Sequence, residues 1–150
     1  NLKAVASILD IRYLESIRER EGGSYGVGVS ATLTKEPTNK ATLSIQFDTD
    51  PEKQEPILAI VYQEISEIVE NGPRSEDLQK VKEIMLKNFA ENLEENKWWL
   101  SALYNNYFNG FNLVDEYKKT VKGINGTTIQ TALKNLVQQG NVIEVTMLPE

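Results

Sequence analysis

The chain contains no cysteine and no histidine in its 150 residues. Without cysteine it can form no disulfide, no thiolate zinc site and no thiol nucleophile. Without histidine it lacks the commonest general base of hydrolases and the imidazole ligands of a typical catalytic zinc. The sequence therefore excludes histidine-dependent catalysis, and it excludes a catalytic zinc centre built from this chain alone.

Long apolar runs and an excess of positive charge are also missing. No segment approaches the roughly 18 consecutive apolar residues that a membrane span needs, so we expect none. The chain has 16 basic and 22 acidic residues, which gives a net charge of −6. Because phosphate binding requires clustered Lys and Arg, this balance argues against nucleic acid as a partner.

Size and composition indicate one globular domain. Apolar residues make up 40% of the chain and charged residues 25%, as is usual for a folded domain with its own core. The chain starts with Asn1 rather than Met, and a helical pattern begins at once. We therefore expect residues 1–150 to form a single, truncated domain.

Hydrophobic periodicity predicts strands, then a block of helices, then a returning strand. A helix is predicted over residues 1–21, strands over 24–33 and 41–47, and a last strand over 142–148. This order favours an α+β, two-layer sandwich whose antiparallel-type sheet is covered on one face by helices. Three strands make a thin sheet, so we expect an open edge through which a homodimer could form.

A group of glutamates and a pair of tryptophans are interpreted mainly as structural rather than functional residues. Several glutamates lie on polar helix faces and are interpreted as solvated surface. They are Glu64, Glu67, Glu91, Glu94 and Glu95. Trp98 and Trp99 point about 100° apart on a helix, so both cannot face one core. We expect one in the core and the other at a helix–helix contact or on an interdomain or substrate surface.

The stretch from residue 17 to residue 28 offers the best candidate site. Arg18 lies near the end of the first helix, and Tyr25 begins the next strand after a double-glycine stop. The seven-residue spacing across a turn lets both side chains converge above the sheet. Gly26 and Gly28 share one strand face, where either a helix or a substrate approaches the backbone closely. On residue type alone, Arg18 reads as a surface cation and Tyr25 as a packed strand residue.

The run from Ile17 to Val27 resembles the L-R-E-x-x-G-x-x-Y-x-V signature of pitrilysin-type zinc metallopeptidases. That family includes insulin-degrading enzyme, the mitochondrial processing peptidases and bacterial zinc proteases. The signature lies in the half-domain without metal, and the order of elements fits over nearly the whole chain. Gly26 and Gly28 replace bulkier or hydroxylated residues, which bears on substrate preference rather than on the role of Arg18 and Tyr25.

The resemblance implies that this chain is the non-catalytic, substrate-binding C-terminal half-domain of a zinc metalloendopeptidase and is inactive alone. A catalytic half-domain would be its partner and would hold the zinc on a His-x-x-Glu-His helix. Arg18 and Tyr25 would reach across an enclosed chamber to the backbone of a peptide substrate. Tyr25 would contact the scissile carbonyl or oxyanion, and Arg18 the neighbouring backbone. Gly26 and Gly28 complete this substrate-binding set.

The resemblance also implies a bacterial protein of the periplasm or cell envelope. Two other functions remain open at this point. One is a structural homologue of the family without peptidase activity. The other is an unrelated α+β binding module, in which Arg18 and Tyr25 would not converge.

Overall fold

The structure is a computed structural model that describes residues 1–21 and 26–147, without the side chains of residues 18–21. It contains a hairpin of two strands and a layer of helices. The elements are α1 (Leu2–Glu21), β1 (Val27–Thr34), β2 (Lys40–Phe47), α2 (Gln54–Asn71), α3 (Ser75–Asn92), α4 (Asn96–Tyr104), α5 (Leu113–Gly123) and α6 (Gly126–Val137). A 3-10 turn (Pro51–Lys53) precedes α2, and a π-helical turn (Asn105–Asn109) follows α4.

Helix α1 lies at the centre of the domain. Its apolar residues recur every three or four positions, and those that are buried include Val5, Leu9, Tyr13 and Ile17. The helix contacts β1, α2, α3 and α6. Buried residues of α2 and α6 join the same hydrophobic cluster, so α1 connects the sheet to the rest of the helical layer. The predicted helix over residues 1–21 is confirmed.

The two strands pair antiparallel, from Val27 opposite Phe47 to Thr34 opposite Lys40. Val29 and Ile45 lie on the face that packs against the helical core. The other face is exposed and carries small or polar residues, namely Gly28, Ser30, Thr32, Ser44 and Gln46. The helices thus cover one face of an antiparallel sheet, which confirms the predicted α+β class.

The prediction of a last strand over residues 142–148 is wrong for the part that the structure describes. Residues 141–147 adopt no regular secondary structure, and Leu148 lies outside the described residues. The segment runs beside α2 instead, where Gln54 Nε2 donates to Thr146 Oγ1 at 2.8 Å and Tyr62 donates to Glu144. Ile143 and Met147 are 88% and 93% exposed. Alternation alone did not produce a strand because a strand also needs a neighbour for its backbone hydrogen bonds.

One backbone group at the outer edge of β1 is satisfied by a side chain. The Val29 N–H, which points away from β2, donates to Asp10 Oδ1 of α1 at 3.3 Å. This contact attaches the edge of the hairpin to the central helix. The homodimer expected at an exposed sheet edge stays a prediction.

Tyr13 is fully buried, and its hydroxyl donates to the Val61 carbonyl oxygen at 3.1 Å. Burial, followed by the nearby negative charge of Glu64, raises the pKa of Tyr13 well above its ordinary value of 10.0. The neutral phenol is therefore favoured by folding. The contribution of the neutral phenol to the free energy of unfolding is fully present below pH 10 and is lost as the pH rises through the raised pKa.

We expect the free energy of unfolding to fall above pH 10, by up to about 1.4 kcal/mol per pH unit for this group. Tyr13→Phe should weaken that dependence and cost about 1 kcal/mol at pH 7 through the lost hydrogen bond. Urea unfolding between pH 7 and 11 measures both effects. Tyr107→Phe, at an exposed position, is the control. Equal alkaline destabilisation of the wild type and Tyr13→Phe would contradict the assignment.

Candidate functional site

The predicted Arg18–Tyr25 corner lies at the junction of α1 and β1. The backbone of Arg18 belongs to the last turn and a half of α1, but its side chain lies outside the described residues, as does all of Tyr25. The structure describes the two elements on either side: α1 up to Glu21 and β1 from Val27. These elements contact each other. The convergence of Arg18 and Tyr25 stays a prediction.

The two glycines of the candidate site have open surroundings. Gly26 and Gly28 are exposed, and a Cβ atom added to either would meet no atom of the described residues within 4 Å. Close packing by a described helix therefore does not account for them.

The interpretation of Glu64 as solvated surface is wrong. Glu64 is 9% exposed and lies between α1 and α2. Arg12 Nε donates to Glu64 Oε2 at 2.5 Å, and the Ser16 hydroxyl donates to Glu64 Oε1. A buried carboxylate needs such partners because desolvation of an unpaired charge is costly. The contact between α1 and α2 therefore contains a polar cluster of three residues (Arg12, Ser16 and Glu64). Along α1, this cluster ends two residues before Arg18.

A sequence signal for this cluster existed. Ile57, Val61, Glu64 and Ile68 are spaced by four, three and four residues, which places Glu64 within the apolar stripe of α2. A carboxylate inside such a stripe is more informative than one on a polar face. Glu67 and Glu91, by contrast, are exposed as expected and make only local contacts, with Asn71 and Lys87 respectively.

A second ion-pair group ties the same half of α1 to α3. Arg74, in the turn between α2 and α3, donates to Asp77 Oδ2 at 2.7 Å and to Glu15 Oε2 at 2.6 Å. Hydrogen bonds to Asp77 and then Glu15 raise the pKa of Arg74 above its ordinary value, so the guanidinium stays charged. Asp77 is buried. The C-terminal half of α1 is thus attached to α2 through Glu64 and to α3 through Arg74.

Both tryptophans are half-buried, rather than one being in the core. Trp98 packs edge-on against Phe89 with ring centroids 5.6 Å apart, and Trp99 packs edge-on against Trp98 at 5.4 Å. The Trp99 indole N–H donates to the Leu93 carbonyl oxygen at 2.7 Å. The pair fills the contact between α4 and the end of α3.

No metal site is evident in the described parts of the chain. Among the described side chains, which are those of residues 1–17 and 26–147, no group of three or more acidic residues is arranged to hold a metal ion. Combined with the lack of His and Cys, this donor set does not fit a catalytic zinc. Over residues 1–21 and 26–147, none of the helices has the length and hydropathy to cross a bilayer.

Comparison with models of protein families shows to which family this chain belongs. The family model described as the peptidase M16 inactive domain matches residues 8–85, which is more than half of the chain. The chain belongs to this family. The matched range includes Arg18, Tyr25 and the Arg12–Ser16–Glu64 cluster, and the family's description marks this part of a peptidase as non-catalytic.

Individual relatives agree with the family match. A "Zinc protease PQQL-like" protein of Arabidopsis thaliana is 26% identical over 108 residues, which cover 69% of this chain and 11% of that protein. The periplasmic protease PqqL of Escherichia coli superposes with a TM-score of 0.68 at 16% identity, over 89% of this chain and 15% of that one. A peptidase M16 inactive domain from Pseudomonas fluorescens gives 0.64 at 17% identity, over 88% of this chain and 33% of that chain. This chain therefore spans a small part of the proteins that it matches.

Removing Glu64 should be strongly destabilising. Glu64→Ala leaves the Arg12 guanidinium without its carboxylate in a mostly buried position, at a cost of about 3–5 kcal/mol. The double variant Arg12→Met/Glu64→Leu removes both charges and should lose far less, because apolar pairs often replace buried ion pairs without penalty. Chemical unfolding of both variants measures this difference.

The matched control is Glu67→Ala, one turn along α2 and exposed. It should change the free energy of unfolding by no more than about 0.5 kcal/mol. If Glu64→Ala is as stable as Glu67→Ala, the polar cluster does not anchor α1.

Proposed function

We propose that this chain is the substrate-binding, non-catalytic half-domain of a zinc metalloendopeptidase. The observation that carries the proposal is the peptidase M16 inactive-domain match over residues 8–85, which includes the Arg18–Tyr25 motif. The relative named as a zinc protease supports zinc-dependent peptide hydrolysis as the reaction of the complete protein. Because the chain contains no His and no Cys, the proposal places the zinc on a catalytic half-domain as its partner.

In this proposal Arg18 and Tyr25 bind the substrate backbone. A phenol and a guanidinium both donate hydrogen bonds, and the guanidinium keeps its charge at any working pH. Tyr25 donates to the carbonyl oxygen of the scissile peptide and to the oxyanion that replaces it. Donors aimed at a developing oxyanion lower the barrier, and one such donor contributes roughly 2.7–4 kcal/mol in well-studied hydrolases.

The surroundings of the corner suit an extended peptide. Gly26 and Gly28 carry no side chains, and no described atom lies within 4 Å of where their Cβ atoms would be, which favours the approach of a substrate backbone. Arg12, Ser16 and Glu64 fix the part of α1 that precedes Arg18. A rigid support of this kind holds a binding side chain in the productive geometry.

The periplasm is the compartment that we propose. The support is the structural neighbour named a periplasmic protease. A family homologue without peptidase activity is the competing function. An unrelated α+β module, the third possibility raised by the sequence, is excluded by the family match.

The test is peptide hydrolysis by the complete polypeptide that carries this chain. We expect a chelator to abolish cleavage, and Tyr25→Phe to lower kcat/KM by about 10²–10³-fold if its hydroxyl stabilises the oxyanion. Arg18→Ala should lower kcat/KM as well, because the substrate backbone loses a charged donor. Circular dichroism and thermal melting check that both variants stay folded.

Arg20→Ala, two residues from Arg18 in the same helix, is the matched control and should keep wild-type turnover. Full activity in Tyr25→Phe and Arg18→Ala would show that these two residues have a structural role and do not bind substrate. A metal-loaded wild type that cleaves no peptide would favour the homologue without activity.

A further inference from the structure

An exposed apolar surface lies on α4 and the π-helical turn that follows it. Leu100, Leu103, Tyr104, Tyr107 and Phe108, here called the aromatic patch, line an open hollow of about 380 Å³. Their spacing is i, i+3, i+4, i+7 and i+8, the pattern of a helix face that packs against a neighbour. In this structure the face points to solvent: Tyr107 is 85% and Leu100 73% exposed.

The opposite side of α4 already packs against its own domain. Trp98 contacts Phe89, Trp99 donates to Leu93, and Ala102 is buried. The aromatic patch therefore does not cover the domain's own core. Tyr104 and Phe108 stack with ring centroids 5.1 Å apart, so two rings of the patch already pack against each other without a partner.

The segment is also free of charge. Residues 98–114 contain no Asp, Glu, Lys or Arg, in a chain that is 25% charged. A surface left for solvent normally carries charged residues, whereas the centre of a protein interface is depleted of them and enriched in aromatic residues. At the rim, the Lys35 ammonium lies 5.7 Å from the Phe111 ring and donates to the Asn109 carbonyl oxygen at 3.1 Å. The patch thus has the composition of an interface centre.

The area of the patch distinguishes between possible partners. A large side chain has a surface of about 150–250 Å². Multiplied by the exposed fractions of the five patch residues, this gives an exposed area of about 600 Å² for the whole patch. This is at the upper end of the patches found on monomers but below the roughly 800 Å² per partner of a stable complex between free proteins. Two free copies of the chain would therefore associate only weakly through it. A domain tethered in the same polypeptide needs less area, because the effective concentration reaches the millimolar range.

The patch is also remote from the proposed substrate corner. Lys35 follows the end of β1 that is distal to Gly26, and eight strand residues span about 26 Å. A partner seated on the patch would leave the corner free.

We propose that the aromatic patch docks onto an apolar helical surface of an adjoining domain in the same polypeptide. The inference rests on the proposed function, in which this half-domain is one part of a longer peptidase. The lengths of the matched proteins support it, since this chain covers 15% of PqqL and 11% of the Arabidopsis relative. Docking would bury Leu100 and Tyr107 and would fix this domain against its neighbour.

Hydrogen exchange in the complete polypeptide tests the proposal. Amides of residues 96–109 should exchange slowly in the wild type, at a rate independent of protein concentration. Leu100→Ser/Tyr107→Ser should speed their exchange about tenfold or more. Both residues are highly exposed, so the substitution should not disturb the domain's own core. Val137→Ser, which changes an exposed apolar residue of α6, should leave the exchange of residues 96–109 unchanged.

Three results would overturn the inference: fast exchange of this segment in the wild type, equal exchange in the wild type and the double variant, or protection that disappears on dilution. The last would identify a second copy as the occupant. Because exchange does not depend on turnover, an inactive polypeptide with protected residues 96–109 would refute the proposed peptidase function and leave the docking surface standing.

Discussion

The packing of this domain depends mainly on the burial of one helix, α1. Helix α1 has the sheet on one side and α2, α3 and α6 on others, and its buried residues extend from Ala4 to Ile17. Each fully buried aliphatic side chain stabilises the fold by about 1.5–3 kcal/mol, and these side chains share one cluster with residues of the other elements. The hairpin alone would be marginal, since two strands rarely hold together in water without a packed face. It persists because α1 covers that face.

Periodicity predicted the elements that this burial organises. The three-and-four spacing of α1 and the alternation of β1 and β2 were sufficient to predict these elements, because the apolar face of each one packs against another element of the chain. The last segment shows the limit of the same method. Ile143, Val145 and Met147 alternate as well as any strand, yet no described strand lies beside them, and alternation cannot supply one. Glu64 shows a different limit, since residue type suggested surface while its position in the stripe of α2 indicated burial.

The candidate site was predictable only through a motif. Arg18 and Tyr25 have ordinary residue types for a helix end and a strand start, and composition alone assigns them no chemistry. What the structure adds is the support of the helix that carries Arg18, which is attached to α2 by Arg12 and Glu64, and to α3 by Glu15 and Arg74. In the proposed function, a half-domain without His or Cys contributes by placing two hydrogen-bond donors precisely.

The double attachment of α1 has a consequence for how the domain opens. Segments held by few contacts can detach while the rest stays folded, whereas segments tied into the core open only when everything does. The turn of α1 that contains Ser16 and Ile17 cannot lift away without exposing Ile17 and separating Ser16 from Glu64. Opening of this turn therefore requires these contacts with α2 and the core to break. In the proposed function, Arg18 follows directly after this turn, so the backbone that leads to it opens only when those contacts are lost.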